Sequence, residues 1–326
     1  MKVCVFGAGA IGGHLAARFS KAGAEVSVVA RGANLEAIRT HGLTVEAHDG
    51  TIDCRPNASS APAELGEQDY VVVTVKAPAL PQVAASIRPL LGAKTAVAFV
   101  MNGIPWWYFD RIGGAREGQR LPEIDPGDVV REAIGVERVI GGVVYSACTV
   151  TEPGHVHVET KENRVIFGEP DGSLSDRVKA LSAMLEAGGM PSPVTADIRT
   201  EIWGKLMGNI SNGPLCILSR QGGRDTYAAP AVKEAALKML AEAQAIAAAY
   251  GCQVPGTPEG RMGRIQTLNH KPSILQDLEL GRPMEIAAMM AVPLRMGLEA
   301  GVPVPTLSLM IALASKAAEA AGLYKP

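Results

Sequence analysis

Aromatic residues are scarce, because phenylalanine, tryptophan and tyrosine make up only 4% of a chain that is 47% hydrophobic. Glycine, in contrast, accounts for 36 of the 326 residues, and this balance favours helices that pack closely on a sheet or on one another. The hydrophobic content excludes a disordered or fibrous protein. At roughly 150 residues per domain, the length predicts two domains, each with its own core.

Neither sign of charge is in excess. The 31 lysines and arginines are balanced by 33 aspartates and glutamates, so the formal net charge is only −2. A protein that holds nucleic acid or an anionic membrane surface needs a concentration of positive charge. We therefore expect no nucleic-acid partner.

Long hydrophobic runs and paired cysteines are also missing. The two most apolar stretches, 227–249 and 286–314, are interrupted by charged residues and prolines, so neither predicts a membrane span. The five cysteines show no CxxC pattern and no cysteine–histidine spacing typical of a metal site. This usage indicates reduced thiols, no bound metal and a cytoplasmic protein.

The first half of the chain alternates short apolar runs with helical periods. The runs cover residues 3–7, 26–30, 70–76 and 95–102. Continuous apolar strands separated by helices predict a parallel sheet that is buried on both faces. Because βαβ connections are right-handed, a doubly wound α/β domain is the expected architecture.

Two further segments follow in this half. Residues 110–131 are rich in glycine, proline and charge and predict a long surface insertion. Residues 138–154, 155–160 and 164–169 are strand-like and joined by tight turns, so we expect them to extend the same sheet as antiparallel partners.

Beyond residue 176 the periods are almost only helical. A pause at 188–193, rich in glycine and proline, marks the predicted domain boundary, which gives domains 1–193 and 194–326. In the second domain we predict helices over 231–250, 272–280, 284–300 and 306–321. An α/β domain followed by an all-helical domain predicts a ligand cleft between the two.

A glycine-rich motif directly follows the first strand and opens a helix, which is the context that makes this motif specific. The first glycine permits a tight turn, the second lets backbone N–H groups approach a pyrophosphate, and the third allows close helix packing. This predicts a Rossmann-type dinucleotide-binding domain, although a purely structural turn remains an alternative. The predicted cofactor-binding residues here are Gly7, Ala8, Gly9, Ala10, Ile11 and Gly12.

Arg31 stands at the end of the second strand, where an NAD-binding protein would place an acidic residue to bind the ribose 2′-hydroxyl. A guanidinium binds a 2′-phosphate in bidentate fashion, and no carboxylate stands there to repel the phosphate. The sequence therefore predicts NADP(H) rather than NAD(H). The alternative is that Arg31 is a solvated loop residue.

Lys205 and Asn209 lie four residues apart on one predicted helix face. A lysine ammonium can donate a proton to a carbonyl oxygen that gains electron density, while an amide orients the substrate. The alternative is an ordinary solvated face. Glu285 opens the next helix, where a carboxylate ordinarily stabilises the helix dipole.

Together these residues resemble the ketopantoate reductase family over nearly the whole chain. The similar segments are the glycine motif, Val-Lys-Ala at 75–77, Met-Asn-Gly-Ile at 101–104, Trp-x-Lys-x-x-x-Asn at 203–209 and 273–286. The resemblance implies NADPH-dependent reduction of a 2-oxo acid to a 2-hydroxy acid. The main expectation is 2-dehydropantoate (ketopantoate) to pantoate in pantothenate biosynthesis.

The resemblance also implies residue roles. Lys205 would be the catalytic proton donor, and Glu285 would steady its ammonium and contact the cofactor ribose. Lys76, Asn102 and the Ala147 backbone would border the cofactor, with Asn102 also facing the substrate. The implied substrate-binding residues are Asn102, Asn209, Asn212 and Ser273.

The chain departs from the family where substrate would bind. The family commonly carries an asparagine before the proline that stands here at position 214, whereas this chain has Gly213, preceded by Asn212. Beyond Glu285 the usual polar residues are replaced, in part by Met289 and Met290. These changes motivate the hypothesis of a bulkier or more apolar 2-oxo acid.

Three matters stay open at this stage. Trp106 and Trp107 would either wall the nicotinamide or pack under the insertion. A protein that senses NADP(H) without catalysis is an alternative to an enzyme, because fold alone does not determine function. A homodimer formed through the helical domain is a further expectation.

Overall fold

The computed structural model describes residues 1–265 and 271–326, which form two compact units. The first unit comprises residues 1–101 and 106–198, and the second comprises residues 102–105 and 199–326. The predicted division into independently folding domains, with a boundary after residue 193, stays a prediction. Residues 102–105, which include the predicted site residue Asn102, thus belong to the second unit.

The first unit contains eleven strands among the described residues. They are β1 (Lys2–Phe6), β2 (Glu25–Val29), β3 (Leu43–Ala47), β4 (Gly50–Cys54), β5 (Asn57–Ser59), β6 (Gln68–Val73), β7 (Leu91–Val100), β8 (Val139–Tyr145), β9 (Cys148–Glu152), β10 (His155–Val158) and β11 (Arg164–Gly168). Its helices are α1 (Ala10–Lys21), α2 (Gly32–His41), α3 (Leu80–Ala84), α4 (Val129–Ile134) and α5 (Asp176–Ala187).

Seven strands form the main sheet in the order β11-β8-β7-β6-β1-β2-β5. All neighbouring pairs from β8 to β5 are parallel, and only β11 runs antiparallel, to β8. Nearly every residue of the central strands is buried, because helices cover both faces of a parallel sheet. The α/β, doubly wound prediction is therefore confirmed.

A second, four-stranded sheet has the order β4-β3-β10-β9. The prediction that residues 138–169 would extend the main sheet as antiparallel partners is correct for β11. β8 extends this sheet as well, but it runs parallel to β7, and the prediction is wrong for β9 and β10. In β10 burial alternates along the strand, and most of β9 is exposed. Such strands suit a sheet with one solvated face, whereas the middle of the main sheet requires burial on both faces.

The predicted surface insertion over 110–131 is wrong in part, because Leu121, Ile124 and Asp125 are buried. The Asp125 carboxylate accepts hydrogen bonds from the backbone N–H groups of residues 130 and 131, at 2.8 and 3.0 Å, and so caps α4. The Arg131 guanidinium pairs with both carboxylate oxygens of Asp110, at 2.8 and 2.6 Å.

Trp106 and Trp107 are also buried in this region. The Trp106 ring meets Phe99 edge-to-face at 5.6 Å between centroids, and the Arg131 guanidinium lies 5.1 Å from the Trp106 ring. These contacts favour the interpretation that the tryptophans pack beneath segment 110–131.

One buried cation joins three parts of the first unit. Arg18 of α1 pairs with both carboxylate oxygens of Asp49, in the turn between β3 and β4, at 2.6 Å each. The same guanidinium donates to the backbone oxygen of Gly188, after α5, at 3.2 Å and to His14 Nε2 at 3.1 Å. Burial, reinforced by Arg18, lowers the pKa of His14 to about 4, so its neutral ring can accept this bond.

The second unit is helical. Its helices are α6 (Ile198–Ser219), α7 (Gly223–Thr226), α8 (Pro230–Ala249), α9 (Pro258–Ile265), α10 (Ser273–Glu279), a π-helical turn (Ala287–Ala291), α11 (Val292–Glu299) and α12 (Pro305–Ala320). The expected helix over 284–300 is present, but it begins with the π-helical turn. Within the described ranges no helix is long and apolar enough to cross a membrane.

The Arg18–Asp49 pair generates a stability prediction. Asp49→Asn leaves the buried Arg18 without its counter-charge and should lower the free energy of unfolding by about 1–2 kcal/mol, a modest loss because Asp49 is half-exposed. Arg18 holds the pKa of Asp49 well below its usual range. The pair therefore stabilises the fold above about pH 4, and the stabilisation is lost as the pH falls below that value.

Urea unfolding followed by circular dichroism at pH 7 and pH 3 measures this effect. Asp53→Asn is the matched control, because Asp53 is exposed and its carboxylate accepts a hydrogen bond from the Thr44 hydroxyl, at 2.6 Å, rather than from a buried cation. An equal decrease in the free energy of unfolding of the two variants at pH 7 would contradict the role given to Asp49.

Candidate active site

The turn between β1 and α1 requires glycine at two of its three motif positions. Gly7 has a φ of +107°, a backbone conformation that L-residues with a side chain rarely adopt. A Cβ atom at residue 12 would overlap the Gly7 carbonyl oxygen. The close approach of α1 to the turn is therefore possible only with glycine at position 12.

The same turn fits the phosphates of a dinucleotide. No side chain caps the N-terminus of α1, and its first turn contains no acidic residue. The space that a Cβ of Gly9 would occupy is open, with no atom within 4 Å. The uncapped N–H groups and the helix dipole therefore suit an anion at this position.

Other predicted cofactor residues follow the carboxyl ends of neighbouring parallel strands. Arg31 comes after β2 and is exposed, and Lys76 comes after β6 and is half-buried. In doubly wound sheets the cofactor lies along this edge, where the strand order reverses. Arg31 is the N-cap residue of α2, and no carboxylate occurs from residue 30 to residue 34.

Ala147 follows β8 at the same edge, but its backbone polar groups already have partners. Its N–H donates to Thr160 Oγ1 at 3.1 Å, and its carbonyl accepts from the N–H of Glu159 at 2.8 Å. A cofactor beside Ala147 would therefore meet it mainly through van der Waals contact.

Sequence reasoning missed Asn34, in the first turn of α2. Its Nδ2 donates to the Ala8 carbonyl at 2.6 Å, and its Oδ1 accepts from the N–H of Gly154 at 2.8 Å. Asn34 thus braces the glycine turn against the second sheet. Asparagine near a helix N-terminus was the only available signal, and it does not reveal partners 26 and 120 residues away.

The second unit places Lys205 in α6 and Glu285 two residues before the π-helical turn. Burial of the Lys205 ammonium lowers its pKa from the ordinary 10.5 to about 8, and the Glu285 charge opposes this shift. The Glu285 side chain is itself buried. Perturbed lysines with a charged neighbour are typical of catalytic sites, although structural ion pairs produce shifts as well.

Asn102 belongs to this unit because its turn is packed on the π-helical turn. The N–H of Ile104 donates to the Ala288 carbonyl at 2.9 Å. Gly103 has a φ of +79°, and a Cβ there would overlap the Ala288 backbone. Ala288 lies three residues after Glu285, so this close contact holds the turn that carries Asn102 against the segment that follows Glu285.

Three of the predicted substrate-binding side chains are available for a ligand. Asn102 and Asn209 are half-buried and Ser273 is exposed, and none of the three has a side-chain hydrogen bond to the described part of the chain. Asn209 lies one helical turn beyond Lys205 on the same face of α6.

Asn212 differs because its amide oxygen has two partners. The Tyr227 hydroxyl donates to Oδ1 at 2.7 Å and the Cys216 thiol donates at 3.1 Å. Tyr227 was not predicted from the sequence, since nothing in the pattern around Tyr227 indicates a partner 15 residues away.

Gly213 stands where the resemblance implied an amide. A Cβ at this position would lie 2.8 Å from Met290 Cε and 3.5 Å from Ile274 Cγ2. The space beside Gly213 is therefore filled by a methionine methyl group rather than left open.

A dinucleotide-binding sheet combined with a helical unit that carries a buried lysine is the architecture of two-domain dinucleotide-dependent reductases. Residues 3–172 match the family described as "Ketopantoate reductase PanE/ApbA", and residues 197–318 match its C-terminal domain. The chain belongs to the ketopantoate reductase family.

Individual relatives agree with this assignment. A "2-dehydropantoate 2-reductase" of Mesorhizobium japonicum is 44% identical over 99% of this chain and 100% of that protein. The crystal structure of a putative ketopantoate reductase from Ralstonia solanacearum MolK2 has a TM-score of 0.91 at 39% identity, covering 99% of both chains. A 2-dehydropantoate 2-reductase from Geobacter metallireducens GS-15 has a TM-score of 0.84 at 28% identity, covering 97% of this chain and 100% of that one.

The Lys205 environment generates a pH prediction. With Lys205 as the expected proton donor, reduction would need its protonated ammonium, so kcat/KM should be level at lower pH and fall as the pH rises through about 8. Glu285→Gln removes the charge that raises the Lys205 pKa, so the falling limb should move to lower pH.

Steady-state profiles of oxo-acid reduction from pH 5.5 to pH 10, for wild type and Glu285→Gln, measure this shift. Asp277→Asn is the matched control, because Asp277 is another buried carboxylate of the same unit but does not contribute to the Lys205 pKa. A falling limb that stays in place in Glu285→Gln would contradict the coupling.

Proposed function

We propose that this protein reduces ketopantoate to pantoate with NADPH. The observation that carries the proposal is the ammonium of the half-buried Lys205, whose pKa is lowered to about 8 by desolvation, while the charge of Glu285 opposes the shift. A general acid works best when its pKa lies near the operating pH. Exclusion of Lys205 from water therefore gives it the acidity that protonation of an alkoxide requires.

In this mechanism NADPH, when bound, supplies the hydride that reduces the C2 carbonyl carbon. Lys205 Nζ donates a hydrogen bond to the carbonyl oxygen and then transfers its proton to that oxygen. The Glu285 carboxylate keeps a larger fraction of Lys205 protonated at neutral pH. Asn102, Asn209 and Ser273 orient the substrate through its carboxylate and hydroxyl groups.

Cofactor binding is proposed for the first unit. The uncapped N-terminus of α1 and the residues of the glycine turn would hold the pyrophosphate. Arg31 would bind the 2′-phosphate, and Lys76 would lie along the same sheet edge. Ala147 would add van der Waals contact, and Glu285 would contact the cofactor ribose.

A more apolar 2-oxo acid is the second candidate substrate. Met290 and Ile274 make the surroundings of Gly213 apolar, and this favours an apolar substrate. The Met290 methyl group fills the space at Gly213, however, so the missing side chain there provides no room for a bulkier substrate. A non-catalytic NADP(H) sensor would have no use for a buried lysine, which is costly to maintain.

Two further proposals concern the environment of the protein. All five cysteines are unpaired, which supports a reducing compartment such as the cytoplasm. A homodimer stays a proposal, for which sedimentation velocity is the direct measurement.

The function is tested by following NADPH oxidation at 340 nm with ketopantoate and a panel of bulkier 2-oxo acids. We expect ketopantoate to give the highest kcat/KM. Lys205→Ala should lower kcat by about 10²–10⁴-fold, the usual contribution of a general acid. Fluorescence titration should show unchanged NADPH affinity in this variant.

Lys238→Ala serves as the control, because Lys238 is exposed on α8, where it pairs with Glu234 rather than with a residue proposed for the site. Near-normal turnover in Lys205→Ala would refute the catalytic role. A higher kcat/KM for a bulkier acid than for ketopantoate would show that the bulkier acid is the better substrate and would refute ketopantoate as the main one.

The cofactor preference is tested at Arg31. Arg31→Ala should weaken NADPH binding by about 10- to 100-fold, because a charge-assisted hydrogen bond to phosphate is lost. NADH binding should not change, since NADH has no 2′-phosphate. Arg39→Ala, at the far end of α2, controls for the loss of one positive charge, and equal effects in the two variants would exclude Arg31 from the phosphate site.

A further inference from the structure

The polar side of α6 extends two turns beyond the proposed proton donor. Residues 205, 209, 212 and 216 recur at spacings of four, three and four, so they share one face of the helix. Asn212 lies seven residues after Lys205, which is about 10 Å along the helix axis. A substrate held at Lys205 by its carbonyl oxygen would extend along this face towards Asn212.

The amide of Asn212 has a fixed orientation. Its Oδ1 accepts hydrogen bonds from the Tyr227 hydroxyl at 2.7 Å and the Cys216 thiol at 3.1 Å, which occupy both of its lone pairs. Nδ2 has no hydrogen-bond partner in residues 1–265 and 271–326, and the side chain is only half-buried. The amide therefore presents two donors to a ligand.

The groups that hold this amide are themselves rigid. Tyr227 and Cys216 are buried. Burial raises the pKa of the Cys216 thiol to about 11 and that of Tyr227 far above its usual range, so both remain protonated donors at neutral pH. Thr226, next to Tyr227, joins the Ser219 hydroxyl at the end of α6 at 2.8 Å. This hydrogen bond ties the residue next to Tyr227 to the end of α6.

We infer that Tyr227 is a positioning residue, which orients Asn212 so that Nδ2 donates a hydrogen bond to an oxygen at the far end of the oxo acid. This inference rests on the proposed function. The carboxylate of a 2-oxo acid adjoins the carbonyl and stays near Lys205. The acceptor two turns away is therefore the C4 hydroxyl oxygen, which ketopantoate has and simple branched 2-oxo acids lack.

The test compares ketopantoate with 3,3-dimethyl-2-oxobutanoate, which differs only by the absence of that hydroxyl. Tyr227→Phe removes one hydroxyl group and frees the amide to rotate. It should raise KM for ketopantoate about 3- to 10-fold, with kcat within about twofold of wild type. KM for the deoxy compound should not change, whereas a general loss of packing would affect both substrates.

Tyr250→Phe is the matched control. The Tyr250 hydroxyl donates to the backbone oxygen of Met296 in the same unit, at 3.1 Å, and is not part of the Asn212 network. This variant should leave the KM ratio of the two substrates at the wild-type value.

A second variant keeps the inference testable if Tyr227→Phe does not fold. Asn212→Asp retains an oxygen for Tyr227 and Cys216 but replaces the donating Nδ2 with an acceptor. It should raise KM for ketopantoate at least about 10-fold and more than for the deoxy compound.

Different results would refute the proposed function and the role of Tyr227. A wild-type protein that does not reduce ketopantoate would refute the proposed function, and this inference with it. A wild-type protein that reduces ketopantoate, with Tyr227→Phe and Asn212→Asp changing both substrates equally or neither, would overturn the inference alone.

Discussion

The exclusion of one ammonium group from water is the constraint on which the proposed chemistry depends. Lys205 loses hydration in α6, and its pKa falls to about 8, while Glu285 retains enough negative charge nearby to keep the proton available. Neither effect alone would suffice, because a solvated lysine is too weak an acid and an isolated buried one is largely neutral at neutral pH. The balance between burial and one carboxylate sets the pKa of Lys205, on which the proposed proton transfer depends.

Close backbone approach shapes the proposed site residues within each unit separately. In the first unit, α1 packs against the glycine turn only because residue 12 lacks a Cβ. In the second, Gly103 lets the Asn102 turn lie directly on Ala288, and the π-helical turn supplies the carbonyl that accepts the bond from Ile104. π-helical turns often occur at functional sites, since the widened turn leaves a carbonyl free for another partner.

The elements that local patterns describe well were predictable. Apolar runs identified the parallel strands, and the helical periods of the second half agree with the observed helices to within a few residues. The second sheet was not predictable, because β3 and β10 pair across more than 100 residues. The burial of Leu121 and Ile124 was equally hidden, since glycine and proline around them dominate the composition. The proposed site residues were identified by motif, and their roles stay proposals.

The sequence by itself determined the class of cofactor fold, the family and the position of the lysine, because each is carried by a short motif whose spacing has a local physical reason. Only the tertiary structure decided that Lys205 is buried near Glu285 and that Tyr227 orients the Asn212 amide. The tertiary structure likewise pairs Arg18 with Asp49, which lies 31 residues away in the turn between β3 and β4. Desolvation and hydrogen-bond direction depend on what the folded chain brings alongside a side chain, and no local spacing encodes that.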